Sequence, residues 1–278
     1  MKTVSKKRKP ARHGAGARSP AATGGQVQSL SRALGILRKI AEQPGGVILT
    51  DLAQRVGLAP STTHRLLMTL KQNGMVHDNS QGRWLIGVEA FVVGSAFVRD
   101  RNLVDIARPI MRQLMRESDE TVNLVVEDQG EAIYLAQVEC EQLMRVFSRP
   151  GARVPMHSSG VGKALLAAMP PDKVAAILHR RGMPRITQKS IDNPARLQVD
   201  LSATLRRGYA IDDEEHALGL RCVAAAIRDE RGLPLAAISI SGPVARMSSE
   251  RVPVLGARVA QAAAEISRSL GIGAGKPI

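Results

Sequence analysis

The sequence predicts an α+β chain: an N-terminal winged helix-turn-helix, a short apolar linker helix, and a larger C-terminal domain in which helices cover one largely antiparallel sheet. Three observations carry this. Leu49 to Gly74, LTDLAQRVGLAPSTTHRLLMTLKQNG, reads as two short helices joined by a tight turn and closed by glycine. From Leu103 onward, strand-type runs fall in two blocks with helices between them, the pattern of an α+β domain. The 278 residues, 44% of them hydrophobic, supply about two domains with ample core material.

In chain order, residues 1–25 carry seven Lys or Arg (Lys2, Lys6, Lys7, Arg8, Lys9, Arg12, Arg18) and no acid. With hardly an aliphatic side chain they cannot offset chain entropy, so a disordered basic tail is expected, either touching phosphates or merely solubilising. Residues 26–87 make the winged helix-turn-helix. A helix over Gln26 to Gln43 places Leu30, Ala33, Leu34, Leu37, Ile40 and Ala41 on one stripe. The next begins at a Thr50 N-cap, turns Leu52, Ala53 and Val56 inward, and stops at Gly57. Pro60 opens the third, whose inner face is Thr63, Leu66, Leu67 and Leu70. Ser61, Thr62, His64, Arg65, Met68 and Thr69 remain outside, a donor-rich set suited to base edges and phosphates in a major groove. An ordinary αα-hairpin with a solvated face is the other reading of this motif alone. MVHDNSQGRWLIG then forms a β-hairpin about Asp78 to Gly82, with Arg83 beside its tip and within reach of a phosphate or the minor groove. Helices plus hairpin make a winged helix, which points to duplex DNA.

Residues 88–102 come next as the linker. VEAFVVGSAFVRDR is helical but apolar on more than one face, which fits dimerisation through a second copy or packing on the chain's own C-terminal domain. In residues 103–271, a helix to about Ser118 precedes strands at Thr121 to Asp128 and Ala132 to Val138, turned by Gln129-Gly130, with another at Leu143 to Ser148. Helices are expected at Ser158 to Met169, Pro171 to Arg181 and Pro194 to Arg207. Strands return at Tyr209 to Asp213, Cys222 to Asp229 and Leu235 to Ser241, before a helix over Ser249 to Leu270. Residues 272–278 are a tail.

Three stretches have chemical content. PMHSSGVGKALLA (155–167) sets small residues at a helix start, where the N–H groups of Gly160 and Val161 suit a carboxylate or phosphate; close helix packing is the plainer explanation. GVGK lacks the spacing and hydroxyl of a nucleotide-binding loop. IDDEEHALGLRC (211–222) packs carboxylates around a histidine, yet neighbours on an extended segment alternate sides and cannot converge on one metal ion. Asp212 is the inward member if Tyr209 and Ile211 face the other way; a partly solvated loop is the alternative. AISISGP (237–243) alternates, so Ser239 and Ser241 share one face, with Cys222 on a neighbouring strand. No GxSxG, HExxH or CxxC orders these groups for catalysis, so no enzyme, cofactor or metal is expected.

The whole chain narrows the classes further. Net charge is +14, half of it in the tail, which suits a polyanionic partner. Two distant cysteines, Cys140 and Cys222, fit a reducing cytoplasm. No run reaches the roughly 18 apolar residues of a membrane span. Three Phe, two Tyr and one Trp leave little for base stacking, which argues against single-strand binding.

GQVQSLSRAL, LTDLAQRVGL, STTHRLLMTL, RNL, ESDETVNLVV, PMHSSGVGKALLA, RGYAIDDEEHALGLRC and AAISISGP together resemble the IclR-type bacterial transcription regulators, across residues 26 to 270. The resemblance implies a winged-helix reader, a dimerising linker helix and a GAF-like α/β domain that binds a small 2-oxo acid, glyoxylate or pyruvate in close relatives. The positions matching that effector site are Gly160, Val161, Asp212, Cys222, Ser239 and Ser241; Leu143, Val146, Val154 and Leu220 match an apolar wall beside it. Val161 stands where alanine is common, Val146 and Val154 are smaller than usual, and Arg228 replaces an aromatic or histidine, which puts the cavity's size preference in doubt. By this resemblance the expected protein is a cytoplasmic repressor that binds double-stranded operator DNA as a homodimer or homotetramer and regulates acetate and glyoxylate metabolism, including the glyoxylate bypass. An activator or dual regulator of aromatic-acid or other carbon catabolism is the second reading. Asp212 beside an anion is either protonated or accepts a hydrogen bond from a hydrated aldehyde, which favours glyoxylate hydrate over simple carboxylates.

Overall fold

The structure, a computed structural model, describes residues 27–99 and 103–273. The expected basic tail (1–25), the last residues of the linker and most of the C-terminal tail therefore lie outside the described residues. The chain divides into two compact units between Ala96 and Phe97.

In the first, α1 (Gln28–Ala41), β1 (Val47–Ile48), α2 (Leu49–Val56), α3 (Pro60–Gln72), β2 (Val76–Asp78) and β3 (Arg83–Ile86) precede α4 (Val88–Arg99). The three strands form an antiparallel sheet in the order β1-β3-β2. Its core is Ile36, Ile40, Val47, Leu52, Leu67, Val76 and Trp84. Gly57 ends α2 in the left-handed region (φ 64°), and Pro60 opens α3, as the sequence predicts. Three details differ. β1 adds a strand to the hairpin. α2 starts at Leu49 after Ile48, with no side-chain cap, so Thr50 lies inside the helix. On α1, Ile36 and Ile40 are buried while Leu30 and Leu34 are 59% and 46% exposed. The reason is that α2 and α3 of this unit cover only the last turns of α1.

The second unit contains α5 (Leu103–Ser118), β4 (Thr121–Asp128), β5 (Glu131–Val138), β6 (Arg153–Pro155), α6 (Gly160–Ala168), α7 (Pro171–Arg181), α8 (Pro194–Arg207), β7 (Ala210–Asp213), β8 (Leu220–Arg228), β9 (Pro234–Pro243) and α9 (Arg251–Gly273). The six strands run β6-β5-β4-β9-β8-β7, every neighbouring pair antiparallel. Gln129 and Gly130, both at positive φ (53° and 85°), close the β4–β5 hairpin, the backbone that a two-residue turn of this hand requires. Both faces of the sheet are covered. Val122, Leu124, Val223, Ile227, Ile238 and Ile240 meet α5 and α9, whereas Val125, Ala224 and Ala237 meet α6, α7 and α8. Coverage on two faces explains why β4 and β9 are buried along most of their length, polar Asn123 and Ser239 included.

The strand expected at Leu143 to Ser148 is absent. The edge of β5 is occupied instead by β6, extended by the Tyr134 N–H to Ala152 and Gly151 N–H to Tyr134 bonds. The preceding segment is pinned by side chains: the Arg246 guanidinium donates to the Met144 carbonyl (2.9 Å) and Arg145 to Glu139 (2.7 Å).

α6 approaches β6 and the sheet so closely that only glycine fits at positions 160 and 162 of its first turn. A Cβ on Gly162 would lie 2.4 Å from the Met156 main chain, and one on Gly160 would lie 2.9 Å from Cys222 Sγ. Backbone cannot yield as a side-chain tip can. Gly162→Ala is therefore expected to lower the free energy of unfolding by about 2 kcal/mol or more, read as a reduced denaturant midpoint of the full chain; an unchanged midpoint would contradict the packing described.

Candidate DNA-reading face and ligand cavity

Helix α3 buries Thr63 and Leu67 completely and leaves Ser61, His64, Arg65 and Met68 exposed, with Thr62 half-buried. The alternation follows from helical period, since positions 63 and 67 lie one turn apart on the inner side. In the wing, the Asn79 carboxamide oxygen accepts the N–H groups of Gln81 and Arg83, both at 3.0 Å, which shapes the hairpin end. Arg83 is exposed, but its guanidinium donates to the Gly46 carbonyl at 3.1 Å, so it leaves the wing already braced on the β1 side. Lys71 links α3 to the wing through Asp78 and lies 5.9 Å from the Trp84 ring centre. Both contacts tie the end of α3 to the wing.

In the second unit the antiparallel register builds a row of side chains. Asp212 pairs with Cys222, Cys222 with Ser241, and Ser241 with Thr121, so these four point to the α6 face. The next row is Ala210, Ala224, Ser239 and Asn123. Over the first row stands the start of α6, where the Ser159 hydroxyl accepts the Gly162 N–H (3.1 Å) as N-cap. The amides of Gly160 and Val161 precede the helical ladder and retain donor capacity. A cavity of about 450 Å³ opens here, lined by Gly160, Val161, Asp212, Cys222, Ser241, Val146, Val154 and Leu220, all expected from the sequence. Two expected residues are elsewhere. Ser239 is buried one row deeper, its hydroxyl accepting from Asn123 Nδ2 at 3.4 Å. Leu143 is fully exposed and forms no part of the wall, because the segment that carries it is not a strand and turns it to solvent. Tyr134 and Ser159 line the cavity without having been singled out in the sequence, and His216, the histidine of the carboxylate-rich run, lines it with them.

The electrostatics of this cavity are those of neutral donors. Asp212 is 2% exposed, and its carboxyl is pushed up to about 7, chiefly by burial, although its Oδ1 accepts the N–H groups of Glu215 (2.8 Å) and His216 (3.3 Å). Burial also pushes the Cys222 thiol up to about 12, with Asp212 adding to the effect, and the Tyr134 hydroxyl up to about 12. A thiol so placed is not a nucleophile at neutral pH. His157 and His216 are both depressed by burial. Arg149 is exposed on the lining, while Arg153 is engaged by Asp128 (3.0 Å) and Glu131 (3.3 Å). Such an arrangement can hold one small anion or a hydroxylated carbonyl compound. Among the described residues no group of three or more His, Cys, Asp or Glu is arranged to hold a metal ion, and no helix is long and apolar enough to cross a membrane.

A winged helix-turn-helix joined to a domain with a polar ligand cavity is the architecture of a DNA-binding transcription regulator. The chain belongs to the IclR family. Residues 29–80 match the IclR helix-turn-helix domain and residues 95–268 the C-terminal domain of bacterial IclR transcriptional regulators. The chain is similar to the acetate operon repressor of Salmonella typhimurium LT2, at 50% identity covering 94% of this chain and 97% of that one. It is likewise similar to the transcriptional repressor IclR of Escherichia coli K12, at 52% identity covering 89% and 91% respectively. Among solved structures, the Thermotoga maritima IclR matches at 32% identity with a TM-score of 0.74, covering 88% of this chain and all (100%) of that one.

The raised Asp212 carboxyl has a measurable consequence. Its folded value lies above the unfolded value of 3.8, so its contribution to stability is complete at low pH and is lost as pH rises toward 7. Compared with Asp212→Asn, the wild type should lose up to about 4 kcal/mol between pH 4 and 7.5. Parallel stability curves for the two proteins across that range would show that Asp212 ionises normally.

Proposed function

We propose that this protein is a cytoplasmic repressor that occupies double-stranded operator DNA as a homodimer or a dimer of dimers, and that a small 2-oxo acid, glyoxylate or pyruvate, changes that occupancy from the C-terminal cavity. In this reading residues 26–87 are the DNA-binding domain, 88–102 the dimerising linker and 103–271 the effector domain. Ser61, Thr62, His64, Arg65 and Met68 enter the major groove, and Arg83 touches the backbone from the wing. The exposed apolar side chains of α4, Val88 (77%), Phe91 (74%) and Val93 (59%), support a linker that pairs with a second copy. The target genes serve acetate and glyoxylate metabolism, and the name of the Salmonella relative, acetate operon repressor, supports the acetate part of that reading.

The observation that carries the effector is the buried carboxyl beside two free amides. Gly160 and Val161 supply N–H donors, Ser241 a hydroxyl, and a protonated Asp212 one more donor, a set that suits a carboxylate with an adjacent carbonyl or hydrate. Ser239 supports it from behind through Asn123. Control requires the ligand to favour one conformation over another, since equal affinity for both shifts nothing. A cavity of about 450 Å³ exceeds what a three-carbon acid fills, which favours a second reading as an activator or dual regulator responding to an aromatic acid.

Fluorescence anisotropy on the DNA upstream of the protein's own gene and its neighbours, with and without glyoxylate, pyruvate and an aromatic acid, separates the two. Glyoxylate or pyruvate is expected to move the binding curve; a response only to the aromatic acid selects the second reading, and no binding to any fragment removes both. Arg65→Ala should weaken operator binding about 10- to 100-fold. Calorimetry should give tighter binding of glyoxylate than acetate, and equal affinity would count against a role for the hydrate.

A further inference from the structure

Lys163 lies one turn along α6 from Gly160, and its side chain is 1% exposed. An ammonium so enclosed is held only by partners. Its Nζ meets Asp200 Oδ2 of α8 at 3.1 Å and bonds the Glu215 carboxylate. Glu215 belongs to the loop between β7 and β8, and its main chain is fixed on two sides. Its N–H donates to Asp212, and its carbonyl accepts the Ser190 hydroxyl at 2.7 Å. The neighbouring Glu214 carbonyl accepts from Thr187 at 2.7 Å. Asp200 faces a second cation, Arg207, at 3.6 Å.

The charges in this cluster can be counted. Lys163 and Arg207 balance Asp200 and Glu215, so a charge on Asp212 leaves an excess negative in a largely enclosed place. Asp212 is faced by Glu215 and His216 from the loop that follows β7, Lys163 from α6, Cys222 from β8 and Tyr134 from β5. With the thiol, phenol and imidazole neutral, Lys163 and Glu215 are the charged members of that set, and they pull in opposite directions.

We propose that Lys163 is a positioning residue for the ligand cavity: by clamping Glu215 it aims the loop amides at Asp212, and with Glu215 it decides whether Asp212 holds a proton. In doing so Lys163 sets the pH range over which the cavity accepts an anion, a consequence that rests on the effector reading given above. The lysine itself reaches Glu215 and Asp200, and it acts on the ligand only through Asp212.

Infrared difference titration of the full chain tests this without any ligand. Near neutral pH the protonated-carboxyl band that Asp212→Asn removes reports Asp212 alone. Lys163→Met should raise the midpoint of that band by at least about half a pH unit, and Glu215→Gln should lower it by a similar amount. Lys163→Arg should restore the wild-type midpoint. Opposite displacements are the distinctive result, because a merely structural clamp would loosen the loop the same way from either end. Displacements of one sign, or a Lys163→Met midpoint that stays put in a protein with native circular dichroism, would overturn the proposal. If Lys163→Met does not fold, Glu215→Gln decides, and failure to lower the midpoint overturns it. Calorimetry with glyoxylate and pyruvate across the same pH range gives the second arm. A band that moves as expected in a protein binding neither acid leaves the Lys163 assignment standing and removes the effector reading.

Discussion

The close seating of the α6 first turn on the sheet governs the C-terminal unit. Gly162 against the Met156 main chain and Gly160 against Cys222 bring a helix terminus to within side-chain-free distance of β8. At that separation Gly160 carries no side chain to cover its amide, and Gly160 and Val161 line the cavity together with Asp212, Cys222 and Ser241. The same approach carries Lys163 inward, where solvent is excluded and a partner is obligatory. The sheet accommodates the helix with small residues, Ala224 and Ala237, on the covered face. Cavity, buried lysine and loop anchoring are thus consequences of one packing distance.

A second constraint is the shortage of enclosed positive charge around the cavity. Binding sites for carboxylates commonly use a guanidinium fork. Here the basic groups near the lining are exposed, as Arg149 is, or already paired, as Arg153 is. What remains is a helix N-terminus, hydroxyls, a thiol held protonated and a carboxyl raised toward neutrality by burial. Below about pH 7 each is a neutral donor. Such a wall distinguishes ligands by where their oxygens stand more than by their charge.

Much of this was legible from the residues. Gly57 and Pro60 bracket the turn of the helix pair because each answers a backbone requirement that few other residues meet. The alternation Ile238-Ser239-Ile240-Ser241 survives because β9 is central and keeps one register with β8 from Ala236 to Pro243, and Asp212 falls inward by the same rule of two. The failures have local causes. Tyr134 reaches the cavity because a register shift opposite Leu124/Val125 puts Leu135 and Ala136 on the same face, and strict alternation cannot anticipate an inserted residue. Leu143 sits in a run of strand composition whose edge position is taken by β6. Lys163 read as part of a weak glycine motif, since its partners Asp200 and Glu215 lie far along the chain.

The lack of an enclosed guanidinium in the cavity also bears on time. A ligand of about six non-hydrogen atoms is limited to roughly −9 kcal/mol even at the best efficiency per atom, and a site without an enclosed guanidinium stays well short of that. Modest affinity means brief residence, because affinity differences reside mainly in the rate of release. If the cavity takes the small acid proposed above, the regulator keeps no memory of a passing pulse: occupancy follows the current concentration and falls as quickly as the pool drains.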